Sequence, residues 1–140
     1  MVSGFTFSSD STRIDRARVH AWLSEQAYWA QGRAREVQDA AIDGSRNYGV
    51  WNENDEQVAY ARVVTDAVTF AWLCDVFVDQ KARGSGVGKM LIEGVIADLQ
   101  PLPVKRILLA TADAHGLYAQ YGFAPSEDPN RYMVKHLAQA

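Results

Sequence analysis

The segment Arg83-Gly84-Ser85-Gly86-Val87-Gly88-Lys89 constrains this chain more than any other, because it holds three glycines within five positions. The residues before it, 70–78, are rich in aromatic and β-branched side chains and predict a strand. Those after it repeat apolar residues at helical spacing. A turn alone needs one or two glycines and no flanking cations, whereas Arg83 and Lys89 add positive charge here. Backbone N–H groups at such a strand-to-helix junction approach anions closely, so the segment predicts a diphosphate site.

Spacing separates three known ways of binding such a phosphate. A P-loop requires Ser or Thr after its Gly-Lys pair, but Met90 follows Lys89, and Arg83 stands where the first glycine belongs. A dinucleotide fingerprint would place its third glycine at Lys89. The pattern Arg-x-x-Gly-x-Gly is satisfied by Arg83, Gly86 and Gly88.

The rest of the chain switches between helical and strand periodicity, without repeats or long linkers. On the second predicted helix, Val37, Ala40 and Ala41 share one face, and Gly44 ends the helix. The order of elements predicts an α/β domain around a mixed sheet. The predicted elements are a strand at 5–8, a helix starting near Thr12, a helix at 33–43, strands at 48–51, 58–64 and 70–78, a helix at 87–99, a doubly buried strand at 104–111, a helix at 114–120 and a strand at 132–137.

Composition narrows the class of protein. A length of 140 residues with 48% hydrophobic residues predicts one domain over residues 1–140. A net charge of -3 argues against a nucleic-acid partner. No signal pattern or membrane-length apolar run is present, so we expect a cytoplasmic protein with no membrane partner. Cys74 is the only cysteine, and His20, His115 and His136 form no ligand-spaced motif, so neither a disulfide nor a metal is expected.

Two segments of the chain carry a resemblance to a known family. The first runs from Phe77 to Leu91 and holds the Arg-x-x-Gly-x-Gly pattern, and the second is Leu117-Tyr118-Ala119-Gln120-Tyr121-Gly122-Phe123. Together they resemble the GNAT superfamily of acetyl-CoA-dependent N-acetyltransferases: the first resembles its acetyl-CoA signature, and the second its late helix, which leads into a Gly-Phe pair. The resemblance covers nearly the whole chain. It implies a GNAT-like fold with a mixed central sheet flanked by helices on both faces, and N-acetyltransferase activity.

The resemblance implies acetyl-CoA as the acetyl donor. Its diphosphate would rest on the backbone between Arg83 and Lys89, and its pantetheine arm along the strand that ends at Val78. Thr111 stands where the family often carries an asparagine near the cofactor. The expected cofactor-binding residues are Val76, Phe77, Val78, Arg83, Gly84, Ser85, Gly86, Val87, Gly88, Lys89 and Thr111.

The resemblance also implies two catalytic groups. The Val76 N–H should face the thioester carbonyl, and Tyr118 aligns with the tyrosine that protonates the CoA thiolate. A lysine-like amine is neutral only about once in two thousand molecules at pH 7, so a base would help. Trp72 and Cys74 stand where several family members carry a Glu or His base, and neither is an obvious base.

Three further residues stay open as bases. Asp75 is a carboxylate within an apolar strand, and alternation points it away from Trp72 and Cys74. We favour a structural role for it, tied to a neighbouring loop or helix N-terminus. Glu25 and His115 are the alternatives. An acetyl-cysteine mechanism is disfavoured, because nothing pairs Cys74 with a histidine and a strand cysteine is more often a small core residue.

Aromatic residues between the first two helices bear on the substrate. By resemblance, Tyr28 and Trp29 wall the acceptor pocket together with Trp72 and Cys74, so we expect a small-molecule amine as partner. Arg62 either recognises a substrate carboxylate or is an exposed or sheet-paired residue, and we favour the second interpretation. The alternative function is a non-catalytic acyl-CoA-binding sensor or interaction module. The absence of a family-type base on the Trp72 strand favours this alternative, whereas Tyr118 argues against it, because a protein that only binds has no need of a proton donor at the sulfur. A homodimer is left open.

Overall fold

The computed structural model describes residues 4–138, which divide into two compact units with the boundary after Ala110. The first unit is a five-stranded sheet with three helices, and the second holds one short helix. In the first unit the elements are β1 Thr6–Ser8, α1 Arg16–Gln26, α2 Arg35–Asp43, β2 Arg46–Trp51, β3 Gln57–Thr65, β4 Ala71–Val78, α3 Val87–Leu99 and β5 Ile107–Leu108. In the second they are α4 His115–Ala119 and a 3₁₀ turn, Pro129–Arg131.

The sheet is mixed, as predicted. Its strands lie in sequence order, and β1 to β4 are antiparallel neighbours, whereas β4 and β5 are parallel. The hairpin between β2 and β3 is fixed by Asn52, whose side-chain oxygen accepts the N–H groups of Asn54 and Glu56 at 3.0 Å. The alternating pattern therefore predicted these strands correctly.

One face of the sheet is covered by α1 and α2. Asp15 caps α1 by accepting the Arg18 N–H at 3.1 Å, so the helix starts there rather than near Thr12. Trp22 stacks on Phe77 of β4 with ring centroids 5.5 Å apart. The buried cluster on this face comprises Ile14, Val19, Trp22, Leu23, Ala27, Ala30, Ile42, Trp51, Tyr60 and Phe77.

The other face is covered by α3. Phe7 of β1 and Tyr48 of β2 stack with ring centroids 6.0 Å apart, and the Tyr48 hydroxyl donates to Asp98 of α3 at 2.6 Å. Gly94 lets the helix approach the sheet, because a Cβ there would stand 2.3 Å from Phe7 Cε1. Helices thus lie on both faces, which confirms the predicted fold class.

Three further details of the predicted elements are wrong. The buried residues of α2 are Gln38 and Ile42, whereas Val37 and Ala40 are exposed. The strand at 104–111 is reduced to two half-buried residues at the sheet edge. Residues 132–137 form no strand, because no neighbouring strand pairs with them and their side chains are exposed.

Candidate active site

The glycine-rich segment forms the turn from β4 to α3. Asp79 begins it by accepting the Lys81 N–H at 3.2 Å, which caps a short 3₁₀ turn. Gly84 and Gly86 have left-handed φ angles of 82° and 85°, which residues with a Cβ rarely adopt. Gly86 precedes the first turn of α3, and the Met90 N–H donates to its carbonyl at 3.0 Å. The amides ahead of Met90 precede the first helical hydrogen bond and so form an anion-binding N-terminus.

Gly88 is a glycine that the protein's own packing does not require. It is the second residue of α3, and a Cβ built there would meet only Val78 Cγ2 at 3.8 Å, an ordinary contact. Alanine in a helix interior is favoured over glycine by about 1 kcal/mol. A glycine here leaves the backbone open to a ligand at the start of the helix. This local geometry fits the diphosphate of CoA.

Cations stand at both ends of the segment. Arg83 and Lys89 are exposed, and the Arg83 Nε donates to the Val78 carbonyl at 3.0 Å. Arg18 of α1 approaches the Asp79 carboxylate with an N–O distance of 3.4 Å. Sequence analysis missed Arg18 because it lies 61 residues from Asp79 and no local pattern joins them.

One edge of β4 is open beside this segment. β5 pairs with β4 only at Ala71 and Trp72. Within residues 4–138, no strand pairs with the same edge over residues 73–78. Because an extended ligand can add to such an edge like an extra strand, the geometry fits the expected pantetheine path between Val76 and Val78.

A β-bulge interrupts β4 at Asp75 and Val76. The ladder pairs Arg62 with Cys74 and then shifts, so that Asp75 and Val76 both face Ala61. Asp75 has a left-handed φ of 52°, a conformation that costs a residue with a Cβ about 1–3 kcal/mol. Since a bulge disrupts the ladder locally, the Val76 N–H lies where the regular strand pairing fails.

The Asp75 carboxylate is buried and accepts three hydrogen bonds. They come from Trp29 Nε1 at 2.9 Å, from the Arg33 guanidinium at 2.8 Å and from Arg62 Nε at 2.9 Å. Burial alone would raise the pKa of Asp75, but the Arg33 hydrogen bond and the Arg62 charge outweigh it and hold the pKa below its ordinary value. Asp75 is thus tied to the α1–α2 loop, as its structural interpretation predicted, and is a weak base.

The orientation predicted for Asp75 is wrong. Arg62 pairs with Cys74 across the ladder and shares its face, yet Asp75 also binds Arg62. The bulge breaks the strand alternation on which the prediction rested. The preference for Arg62 as a sheet-paired residue is confirmed. Sequence analysis missed Arg33 as the partner of Asp75. The sequence showed that a carboxylate in an apolar strand needs a partner, but not that this partner lies 42 residues away.

Four predicted acceptor residues lie on one side of the sheet. The Tyr28 and Trp29 rings meet edge to face with centroids 5.0 Å apart, and 58% and 44% of these residues remain exposed. The bond from Trp29 to Asp75 brings this pair beside Cys74, which follows Trp72 by two residues and shares its strand face. The exposed rings of Tyr28 and Trp29 therefore form an aromatic surface on a loop that is joined to β4 at Asp75.

The Cys74 thiol is poorly suited to covalent catalysis. Burial raises its pKa to about 11, against the opposing charge of Arg62. The thiol is therefore neutral at pH 7, whereas the thiolate is the nucleophile. This agrees with its interpretation as a small packing residue.

The remaining predicted residues lie apart in the chain. Tyr118 belongs to α4 in the second unit, where its ring meets Phe123 edge to face at 5.7 Å and only 8% is exposed. The Thr111 hydroxyl accepts a backbone N–H just ahead of α4 at 3.0 Å. His115 and Glu25, the alternative bases, are exposed.

The described part of the chain offers neither a metal-binding cluster nor a membrane-spanning helix. Residues 4–138 hold no cluster of three or more His, Cys, Asp or Glu side chains that could bind a metal ion. None of their helices has the length and hydropathy needed to span a bilayer.

The chain is similar to several known acetyltransferases. Serotonin N-acetyltransferase 2, chloroplastic, of Oryza sativa is 38% identical over 138 aligned residues, covering 94% of this chain and 67% of the rice protein. A candidate acetyltransferase of Gibberella zeae is 35% identical over 135 residues, covering 83% of this chain and 76% of its own length. A crystal structure assigned to the GNAT family, from Xanthomonas campestris pv. campestris, has a TM-score of 0.91 at 38% identity, covering 98% of this chain and 96% of that one.

The family itself follows from the extent of the match. The model of the acetyltransferase (GNAT) family matches residues 14–123, which include strands β2 to β5, the glycine-rich segment and α4. Both of these relatives are acetyltransferases by name, and the glycine-rich turn has the backbone geometry of an anion site. The chain therefore belongs to the GNAT family and is an N-acetyltransferase.

Proposed function

We propose that the protein transfers an acetyl group from acetyl-CoA directly to the primary amine of a small molecule, with Tyr118 as general acid. The observation that supports acetyl-CoA as the donor is the turn from β4 to α3. There Gly88 leaves the N-terminus of the helix open, although the protein's own packing does not require a glycine at this position. Acetyl-CoA would supply an activated acetyl thioester. Arg83 and the amides up to Lys89 would hold its diphosphate.

The Val76 N–H is the proposed donor to the thioester carbonyl. It lies at the bulge of β4, beside the free strand edge. A fixed backbone N–H stabilises negative charge that develops on a carbonyl oxygen, and costs no reorganisation during the reaction. Tyr118 would then donate its phenolic proton to the departing sulfur.

Direct transfer is favoured over an acetyl-cysteine route. The pKa of Cys74, raised to about 11 by burial, keeps its thiol protonated. The Asp75 carboxylate is engaged by Trp29, Arg33 and Arg62, so neither residue is a ready base. We therefore expect the amine to be deprotonated through water or before it binds.

The acceptor that we propose is a small aromatic amine. Tyr28 and Trp29 present exposed rings on the same side of the sheet as Trp72 and Cys74, and a flat apolar group can stack there. The rice relative is named for serotonin, an aromatic ethylamine. This class is therefore the first to test.

Release of CoA thiol tests the proposal. The purified chain is given acetyl-CoA with aromatic ethylamines, polyamines, amino acids, aminoglycosides or lysine peptides, and the acetylated product is identified by mass. We expect turnover to be highest with an aromatic ethylamine. Preference for a lysine peptide would overturn the small-molecule acceptor, and binding of acetyl-CoA without turnover on any amine would overturn the proposed reaction.

A further inference from the structure

Asp75 is the one acidic residue among the buried side chains of residues 4–138. Its three hydrogen-bond donors come from two separate parts of the chain, Trp29 and Arg33 in the loop between α1 and α2, and Arg62 in β3. A carboxylate that accepts three such bonds fixes the elements that donate them, because charge-assisted hydrogen bonds are strong and directional.

The same residue determines a backbone direction. Asp75 holds a left-handed φ of 52° at the bulge, and its ψ rotation sets the plane of the peptide that carries the Val76 N–H. A left-handed residue with a Cβ persists only where its surroundings stabilise it. Here the side-chain bonds to both arginines supply that stabilisation.

The three hydrogen bonds to Asp75 form a network that also reaches the exposed rings of Tyr28 and Trp29. The Trp29 indole N–H bond orients a ring that is 44% exposed and in contact with Tyr28. Arg33 also donates to Gln38 Oε1 at 2.9 Å, which explains why α2 buries a glutamine. The Asp75 carboxylate therefore joins two parts of the proposed site: the loop that carries the aromatic rings, and the strand that carries the Val76 N–H.

We propose that Asp75 is a positioning residue, which sets the acceptor-binding rings of Tyr28 and Trp29 relative to the Val76 N–H. This inference rests on the proposed function. Two guanidinium groups share the single Asp75 carboxylate, so its negative charge is needed as well as its shape. Asp75→Asn keeps the shape, removes the charge and turns an amide N–H₂ group towards at least one donor.

Asp75→Asn is compared with wild type on the best amine found for the wild-type enzyme. We expect kcat/KM for the amine to fall on the order of 10²-fold, because misplacing reacting groups by about 1 Å costs that much. The Kd for acetyl-CoA should stay within about twofold, since the glycine-rich turn is untouched. Trp29→Phe keeps an aromatic ring and loses only the indole N–H among the network's bonds, so it should raise KM for the amine more than it lowers kcat.

Asp98→Asn is the matched control on the opposite face. Asp98 accepts hydrogen bonds from Arg46 at 3.0 Å and from the Tyr48 hydroxyl at 2.6 Å, so its loss also breaks an arginine–carboxylate pair. Its kinetic constants should match wild type even if its stability falls. Equal kinetic losses in Asp75→Asn and Asp98→Asn would overturn the positioning role, and so would wild-type constants in folded Asp75→Asn.

A spectroscopic measurement tests the network without turnover. The indole N–H signal of Trp29 is assigned by its disappearance in Trp29→Phe, and its protection from solvent exchange is compared between wild type and Asp75→Asn. We expect protection to be lost in Asp75→Asn and kept in Asp98→Asn. Retained protection would overturn the inference. Absence of turnover by the wild-type enzyme would instead count against the proposed function alone.

Discussion

Gly88 stands in the first turn of α3, where alanine would suit the helix and the space is available. We expect Gly88→Ala to keep the fold, to raise the free energy of unfolding by up to about 1 kcal/mol, and to weaken acetyl-CoA binding at least about tenfold. The reason is that the added methyl group meets no protein atom closely, but stands where the diphosphate would approach. Denaturant unfolding and calorimetric titration measure the two effects.

Gly44→Ala is the control for Gly88→Ala. Gly44 follows α2 with φ -91°, and a Cβ there would meet only the Ala40 carbonyl oxygen at 3.5 Å. This variant should bind acetyl-CoA like wild type. Wild-type affinity in Gly88→Ala itself would show that the glycine has no role in binding the cofactor.

The proposed role of Tyr118 as general acid can be tested by removing its hydroxyl. Tyr118→Phe removes only a hydroxyl and keeps the ring that packs on Phe123. If Tyr118 is the general acid, turnover at saturating acetyl-CoA should fall about 10²-fold, the lower end for such catalysis, because a thiol is a fair leaving group. Tyr121→Phe should do much less. Retention of more than about half of wild-type turnover, with chemistry rate-limiting, would remove Tyr118 from the mechanism.

The Asp75 carboxylate gives stability a defined pH dependence. Its pKa is lowered in the folded protein, so its contribution is fully present above the unfolded pKa, about 3.9, and is lost as pH falls through the folded pKa. We expect wild type to be more stable than Asp75→Asn at pH 7, with the gap narrowing below about pH 4. Urea unfolding at a series of pH values measures the gap. A gap independent of pH down to about pH 2 would show that folding does not lower the pKa of Asp75.

At the scale of elements, α3 is the helix that both begins at the proposed phosphate site and packs on the sheet. Its two contacts depend on different glycines, Gly88 at the open end and Gly94 against Phe7. We expect Gly94→Ala to destabilise the protein by about 1–3 kcal/mol, because its Cβ would overlap the Phe7 ring. This sign is opposite to that of Gly88→Ala, although both replace glycine by alanine in one helix.

Urea unfolding of Gly94→Ala, Phe7→Leu and the double variant tests this packing. If the overlap is the cause, the smaller side chain at Phe7 should relieve part of the loss, and the two effects will not add. Additive losses would place the cause elsewhere in α3.

At the scale of the whole molecule, binding and stability are linked. If acetyl-CoA is the donor, as proposed, and binds only the native chain, about 100 times its Kd should stabilise the protein by about 2.7 kcal/mol. For a chain of this size we expect the thermal midpoint to rise on the order of 5–10 °C. Gly88→Ala should show a smaller rise at the same concentration. No rise and no calorimetric signal at millimolar acetyl-CoA would contradict the proposed donor.

Much of the fold could be predicted because its signals are local. The period of two in β2, β3 and β4, and the helical period after Gly86, are written in neighbouring residues. The glycine-rich turn is equally local, since its positive φ angles and its helix N-terminus follow from residue types within one short segment. The predicted α/β class and the predicted donor site both depend on such signals.

Other features depend on partners that the sequence does not place side by side. A strand forms only where it can pair with another strand. Within the apolar run at 104–111 only two residues pair with β4, and no residue of 132–137 lies in a strand. Helix α2 turns towards the core the face that carries Gln38, which accepts a hydrogen bond from Arg33. This is not the face that the apolar residues of the helix predicted. Hydrophobic periodicity cannot predict a buried polar contact of this kind.

The sequence by itself determined the class of fold, the order of most elements and the position of the glycine-rich turn, because each depends on residues within a few positions of one another. Only the tertiary structure decided the environment of Asp75, whose partners Trp29 and Arg33 lie 46 and 42 residues away. The β-bulge that turned this carboxylate towards them arises from the register between β3 and β4. Register is a relation between two strands, so neither strand alone contains it.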